Sequence, residues 1–216
     1  MTKNSLLDKN LIVKLIQRNK EAFSLSEMDL GCYKEPIEIK LRDPTRDPKY
    51  SKPTTYPYKS RPFVDKYIQK MLDHDLVQVS KGSQFTSPSR FLKKKNGDLR
   101  LITNFMYVNT LIVQNRWPIP SVRNVLEHLA GSQYFSVMDC KKGFWQIRIT
   151  ENSRSLTAFS CRGRLYEYKR LPQGMSISPG VFQSVMMGIF KEMVFNGVIV
   201  FVDDFLVYSK TKEEHY

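Results

Sequence analysis

Val198-Ile-Val-Phe-Val-Asp-Asp-Phe-Leu-Val-Tyr208 sets two adjacent carboxylates between two apolar runs of strand-forming residues. The alternation of β-branched and aromatic residues on either side of Asp203-Asp204 predicts a hairpin with the acids at its turn. Like charges held side by side resist burial unless a cation neutralises them. A divalent metal is the ligand such a pair suits. A plain turn is the alternative, because Asp also favours hairpin loops.

A third acid extends the pattern. Gln133-Tyr-Phe-Ser-Val-Met-Asp139 is another short apolar strand that ends in a carboxylate. Taken alone, Asp139 reads as a turn residue. Taken with Asp203 and Asp204, it makes a three-carboxylate set at strand ends, a donor chemistry suited to Mg²⁺. Two such ions form the usual clamp for in-line phosphoryl transfer.

The charge balance points to a polyanion. The 216 residues carry a formal net charge of +13. Sixteen basic and only five acidic residues fall between positions 81 and 170, so the excess is concentrated in the middle of the chain. That fits a nucleic-acid surface, with a merely solvated basic face as the alternative. Cys32, Cys140 and Cys161 are scattered and odd in number, and His74, His128 and His215 are isolated. They form neither a disulfide framework nor a zinc motif, and a reducing intracellular compartment follows. Charge enters the N-terminus too early for a secretory signal, and no apolar run reaches the ~18 residues of a membrane span.

Leu7, Leu11 and Leu15, with Ile12 and Ile16, predict an amphipathic helix over 5–19. Five prolines between Asp43 and Pro62 predict an extended, solvated strap. Phe63, Tyr67, Ile68, Met71 and Leu72 give the next helix. Residues 89–105 read as a hairpin turned at Asn96-Gly97. Ser121 caps a helix whose apolar face carries Val122, Val125, Leu126 and Leu129. Residues 144–170 read as strands and turns. From Pro179 a helix with a buried stripe from Val181 to Met193 runs to Gly197. Strands mixed irregularly with helices predict an α+β fold with a mainly antiparallel sheet.

Two further segments carry chemistry. Lys93-Lys-Lys-Asn-Gly-Asp-Leu-Arg100 is a basic hairpin tip able to close over a triphosphate; a merely soluble tip is the bland reading. Leu171-Pro-Gln-Gly-Met-Ser-Ile-Ser-Pro-Gly-Val-Phe-Gln183 is a Gly/Pro turn leading into a helix, where backbone can approach a phosphate or a base. P-loop, Gly-x-Ser-x-Gly and His-Glu-x-x-His motifs are absent, which removes P-loop ATPases, α/β-hydrolases and zincins.

In this order and spacing, Lys-Lys-Asn-Gly-Asp-Leu-Arg, Phe-Ser-Val-Met-Asp-Cys-Lys-Lys-Gly-Phe-Trp-Gln-Ile, Leu-Pro-Gln-Gly-Met…Pro-Gly-Val-Phe-Gln and Phe-Val-Asp-Asp resemble the reverse transcriptase (RNA-directed DNA polymerase) of gypsy-type LTR retrotransposons and, more distantly, of retroviruses. The resemblance covers roughly residues 25–216 and implies a right-hand polymerase fold with fingers and a partial palm. It implies an N-terminal helix and proline-rich strap over 1–60, fingers over 61–115 and 147–177, and palm over 116–146 and 178–216. Asp139 and Asp203 would hold two Mg²⁺ ions, or Mn²⁺, with Asp204 completing the acidic cluster. Phe144 would be the steric gate against a ribose 2′-OH. Lys94 and Arg100 would grip the triphosphate, and Gln173 and Gly174 would line the nucleotide pocket. The partners implied are dNTPs, an RNA or DNA template with its primer, and protease, ribonuclease H and integrase domains of one polyprotein. No membrane is among them. The implied location is a cytoplasmic retroelement particle, with the nucleus as a second place.

Two departures accompany the resemblance. Asn104 and Met106 stand where the family usually has Asp and Arg, although Asn109 fits, and Phe201 stands where Tyr is commoner. Ser209–Tyr216 looks like the start of a palm helix, which places the remaining palm, thumb and ribonuclease H outside this sequence. The expectation is that this chain alone polymerises little. A non-catalytic module binding nucleic acid or a partner is the alternative function.

Overall fold

The computed structural model describes residues 3–52, 54–93, 99–115 and 117–216. Two compact units form, Met1–Gly31 and Cys32–Tyr216. The first holds α1 (Lys3–Arg18), closed at its C-terminal end by Asn19, whose side-chain amide donates to the Leu15 carbonyl.

The second unit begins with β1 (Tyr33–Ile37) and the proline-rich strap, which is mostly exposed and touches the body through single bridges such as Tyr50 with Thr86. There follow α2 (Arg61–Asp73), β2 (Val77–Val79), β3 (Ser89–Lys93), β4 (Leu99–Thr103), α3 (Met106–Leu111), α4 (Val122–Leu129) and β5 (Tyr134–Asp139). Next come β6 (Ile147–Ile149), α5 (Glu151–Arg154), β7 (Phe159–Cys161), β8 (Arg164–Tyr168), α6 (Ser178–Ile189), β9 (Val198–Phe201), β10 (Asp204–Ser209) and α7 (Lys212–His215).

The strands make two three-stranded antiparallel sheets, β5-β10-β9 and β2-β8-β7, with the hairpin β3-β4 and one parallel pair, β1-β6. The α+β expectation with mainly antiparallel pairing is met. The core gathers Met71 and Leu76, Phe105 and Ile112, Ile147 and Ile149, Phe159 and Phe182, all essentially without solvent contact. Among the described residues no helix is long and apolar enough to cross a membrane.

Two predicted helices carry apolar residues in the open, and one expectation, the long buried stripe, needs correction. The α4 stripe is real but uncovered: Val122 and Leu126 are more than three-fifths exposed, and no residue of α4 is buried. Periodicity identifies an apolar face; it does not say that anything packs on it. The last long helix stops at Ile189, and Ile189 and Met193 lie in solvent rather than in a buried stripe. Phe63 sits outside the buried face of α2, which is Val64, Ile68 and Met71. The Asn96-Gly97 turn and Lys94 lie outside the described residues.

Candidate active site

The β9–β10 hairpin places the acid pair. Phe201 pairs with Asp204, so Val202 and Asp203 form a two-residue loop between the strands. Val202 has φ of +52°, left-handed backbone that a β-branched side chain disfavours. Gln183 of α6 holds this loop. Its side-chain amide nitrogen donates to the Val200 carbonyl at 3.0 Å, and its oxygen accepts from Val202 N–H at 2.8 Å. Gln183 is wholly buried, and its one amide satisfies both a donor and an acceptor of the hairpin.

The antiparallel register of β5 on β10 then brings in the distant acid. Asp139 lies directly opposite Asp204, and Met138 opposite Phe205. Cys140 N–H donates to the Asp203 carbonyl at 3.0 Å, tying the end of β5 to the turn. All three acids therefore converge at one end of one sheet, although Asp139 and Asp204 are 65 positions apart.

Their environments differ. Asp139 and Asp204 are exposed, whereas Asp203 is half-buried and its Oδ1 has no hydrogen-bond partner among the described residues. Burial, then the charge of Asp139, then that of Asp204 push the Asp203 carboxyl above its ordinary value. The Cys140 thiol is pushed up first by burial and then by the charge of Asp203.

A buried, orphaned carboxylate oxygen beside two more carboxylates fits a hard cation. Among the described residues no group of three His, Cys, Asp or Glu side chains forms a ready-made metal cage.

The segment after β5 packs tightly here. A Cβ on Gly143 would stand 2.7 Å from the Phe182 ring and 3.2 Å from Asp203 Oδ1, so only glycine lets this turn close on the acid. Phe144 follows at once and is braced edge-to-face by Phe182, with ring centroids 5.6 Å apart. The structure thus brings Phe144 to the same α6 turn that holds the acid loop.

A second cluster joins Arg100 and Gln173, whose side chains meet at 2.9 Å. Gly174, at φ +95°, passes so close to β4 that a Cβ would lie 3.1 Å from the Thr103 carbonyl. Asn109 secures this loop, donating to the Gly174 carbonyl at 3.0 Å and accepting from Ser176 N–H at 2.8 Å. Asn104 accepts from Met106 N–H at 3.0 Å, a local backbone role for the residue that replaces an acid.

Sequence reasoning placed Phe182 in the buried helical stripe and Gly143 and Gln183 only within the family blocks, with no part in holding the acids. Gln183 had a legible signal, a lone amide inside an otherwise apolar helical stripe, which folded proteins keep only where its hydrogen bonds are met.

Comparison with known proteins agrees with the geometry. Residues 50–216 match the family model described as reverse transcriptase (RNA-dependent DNA polymerase). The chain is 31% identical over 185 residues to the retrovirus-related Pol polyprotein from transposon opus of Drosophila melanogaster, covering 83% of this chain and 18% of that protein. It is 35% identical over 182 residues to the enzymatic polyprotein of cauliflower mosaic virus (strain Strasbourg), covering 82% and 26%. Among solved structures, the protease–reverse transcriptase of prototype foamy virus is 25% identical, with a TM-score of 0.85 over 96% of this chain and 28% of that one. A foamy viral protease–reverse transcriptase in complex with RNA/DNA hybrid has the same fold, with a TM-score of 0.84 over the full chain at 24% identity. The chain therefore spans about a quarter or less of the length of these polyproteins.

Proposed function

We propose, from the premise that this chain belongs to the reverse transcriptase (RNA-dependent DNA polymerase) family, that the β5-β10-β9 acids are the centre of template-directed nucleotidyl transfer from a dNTP to a primer 3′-hydroxyl. The observation that carries this is the pairing of Asp139 with Asp204 beside the orphaned Asp203 oxygen. In this reading the chain is part of a longer retroelement Pol polyprotein, as the names of its relatives describe for them.

Asp139 and Asp203 would hold two Mg²⁺ ions, or Mn²⁺, with Asp204 completing the cluster. Bound there, divalent cations supply charge neutralisation to the attacking hydroxyl and to the departing pyrophosphate. Burial and the neighbouring charges of Asp139 and Asp204 disfavour a bare carboxylate at Asp203, and a divalent cation there would offset that cost. Phe144, braced by Phe182, presents a fixed ring where a 2′-OH would clash, and so selects deoxyribose. Arg100 and Lys94 hold the triphosphate. The bond from Arg100 to Gln173 keeps the guanidinium over the 173–174 loop, whose backbone Asn109 fixes for the nucleotide sugar and base. Catalysis then rests on positioning and electrostatics, and base choice on template pairing. The foamy viral proteins that share this fold were solved with RNA/DNA hybrid and with double-stranded DNA, and we assign a primer–template to this chain on that ground. The basic middle segment would follow its backbone, with affinity falling steeply as salt rises.

One observation favours a second reading, a binding module without catalysis: β5, which carries Asp139, leaves Phe135 and Val137 half or more exposed, so the acid-bearing sheet is only partly covered. Single-nucleotide addition to a primed RNA template, with Mg²⁺ and dNTPs, separates the two. Catalysis requires slow addition that drops to background in Asp203→Asn while duplex binding persists. Equal addition by the variant would sink the catalytic assignment.

A further inference from the structure

Arg148 and Arg170 face one another across the antiparallel bridge between β6 and the segment after β8. The flanking hydrogen bonds run from Ile149 N–H to the Lys169 carbonyl at 3.1 Å and from Leu171 N–H to the Ile147 carbonyl at 2.9 Å. That pattern makes them a non-hydrogen-bonded pair, the register in which opposite side chains share a face and come closest. Ile147 and Ile149 fill the core, so the arginines lie on the other side of the ladder.

Like charges directly opposite repel. Arg148 is exposed and solvent screens its side of the pair, but Arg170 is only 9% exposed. Its Nη1 reaches the Gln146 carbonyl at 3.5 Å, and its Nε has no acceptor. The indole N–H of Trp145, next to Gln146, is a second buried donor without an acceptor. Among the described residues no carboxylate pairs with either arginine. Glu35, on the β1 segment that runs beside β6, forms no ion pair with them.

A nearly buried arginine with an orphaned Nε, a second arginine directly opposite it and no paired acid describe a place short of an anion. We propose that Arg148 and Arg170 form a phosphate-binding subsite for a tetrahedral oxyanion carried by a nucleic-acid backbone or by a nucleotide triphosphate. The planar donor fork of arginine matches that geometry. Gln146 couples the subsite to the acids. Its amide donates to the Lys141 carbonyl at 2.9 Å and approaches Cys140 Sγ at 3.3 Å, and Cys140 N–H holds the Asp203 carbonyl. A phosphate bound at the pair therefore steadies the turn that carries Asp203, an addition that rests on the polymerase reading above.

The test uses the 216-residue chain, with Arg148→Met, Arg170→Met and the double variant, and Lys191→Met as a control for bulk charge. Fluorescence anisotropy follows a labelled RNA/DNA primer–template across a salt series; a separate arm titrates dATP with Mg²⁺. Each arginine variant should weaken one arm about tenfold, the scale of a lost charge-assisted hydrogen bond. The double variant should lose less than the product, because both arginines hold one phosphate. If the duplex backbone is the source, the duplex arm moves and the salt slope flattens by about one unit; if the triphosphate is, only the dATP arm moves. Losses that multiply fully, losses matched by Lys191→Met, or changes under twofold in both arms would each overturn the subsite. Should Arg170→Met fail to fold by circular dichroism, Arg148→Met and Arg170→Lys, which keeps the charge and loses the fork, carry the same comparison. Catalysis is read by nucleotide addition and the subsite by duplex and dATP binding of the arginine variants, so failure of the catalytic reading and failure of the subsite are separately visible.

Discussion

The two three-stranded antiparallel sheets have the same size and connectivity type and opposite surroundings. In β2-β8-β7 every residue of β7 is buried, and Phe159 lies between the Tyr166 and Tyr168 rings at centroid distances of 5.7 and 5.1 Å. In β5-β10-β9 every residue from Phe135 to Asp139 is exposed. In the first sheet β7 is covered on both faces, although Val79 at the end of β2 is exposed. The second keeps an open end, and that is where the acids stand. A substrate cannot reach carboxylates sealed in a core, so the proposed chemistry calls for the less covered strand and stability for the covered one.

The contrast can be broken most severely at Phe159. Phe159→Ala should cost about 3–5 kcal/mol, the scale of a large aromatic truncation in a closed core, read from urea denaturation. A loss below about 1 kcal/mol would mean that this sheet is not the stabilising one.

Gln183→Leu comes next, because α6 is what links the acid sheet to buried structure. It strands the Val200 carbonyl and the Val202 N–H, at about 1–3 kcal/mol for each orphaned group. Nucleotide addition should fall with it, since Val202 loses the hydrogen bond that holds its left-handed backbone. Retained stability with lost addition would place the role of Gln183 in positioning alone.

Asp203→Asn should act in the opposite direction. Burial and two neighbouring acids raise the Asp203 carboxyl, so the folded chain binds its proton more readily than the unfolded chain. Stability therefore falls as pH rises from the ordinary carboxylate value through the raised one. The variant removes that penalty. It should melt higher than the parent at neutral pH, and the gap should close as the pH is lowered through the raised value. Millimolar Mg²⁺ should raise the melting temperature of the parent and leave the variant unmoved. A gap independent of pH would contradict the charge argument.

The smallest effect belongs to Val137, 70% exposed on β5. Val137→Thr should change stability by less than about 0.5 kcal/mol. A larger loss in a thermal melt would show that something covers this strand in solution.

What the sequence made legible follows the range of the forces involved. The hairpin at Asp203-Asp204, the strand ending at Asp139 and the turn before α6 are local patterns, and they are readable because alternation and turn chemistry act over a few residues. Family motifs supplied the roles given to Phe144, Gln173 and Gly174. The pairing of Asp139 with Asp204 is a register between distant strands, and no local pattern fixes it. The fate of apolar faces was equally hidden: Val122 and Leu126 on α4 have the same spacing as buried stripes and yet face solvent. Gly143 was illegible for a further reason. The contact that demands glycine comes from Phe182 on a helix 39 positions away.

The free side of β5 also bears on how the protein behaves in concentrated solution. Among the described residues only β10 pairs with this strand, so its other edge offers unmatched N–H and C=O groups beside exposed Phe135, Val137 and Met138. Such an edge is a template for copy-to-copy pairing. What opposes it is the formal charge of +13, whose mutual repulsion reaches about 10 Å at 0.1 M salt and only about 3 Å at 1 M. High salt, which ordinarily rescues basic proteins from stray nucleic acid, should here trade one kind of stickiness for another.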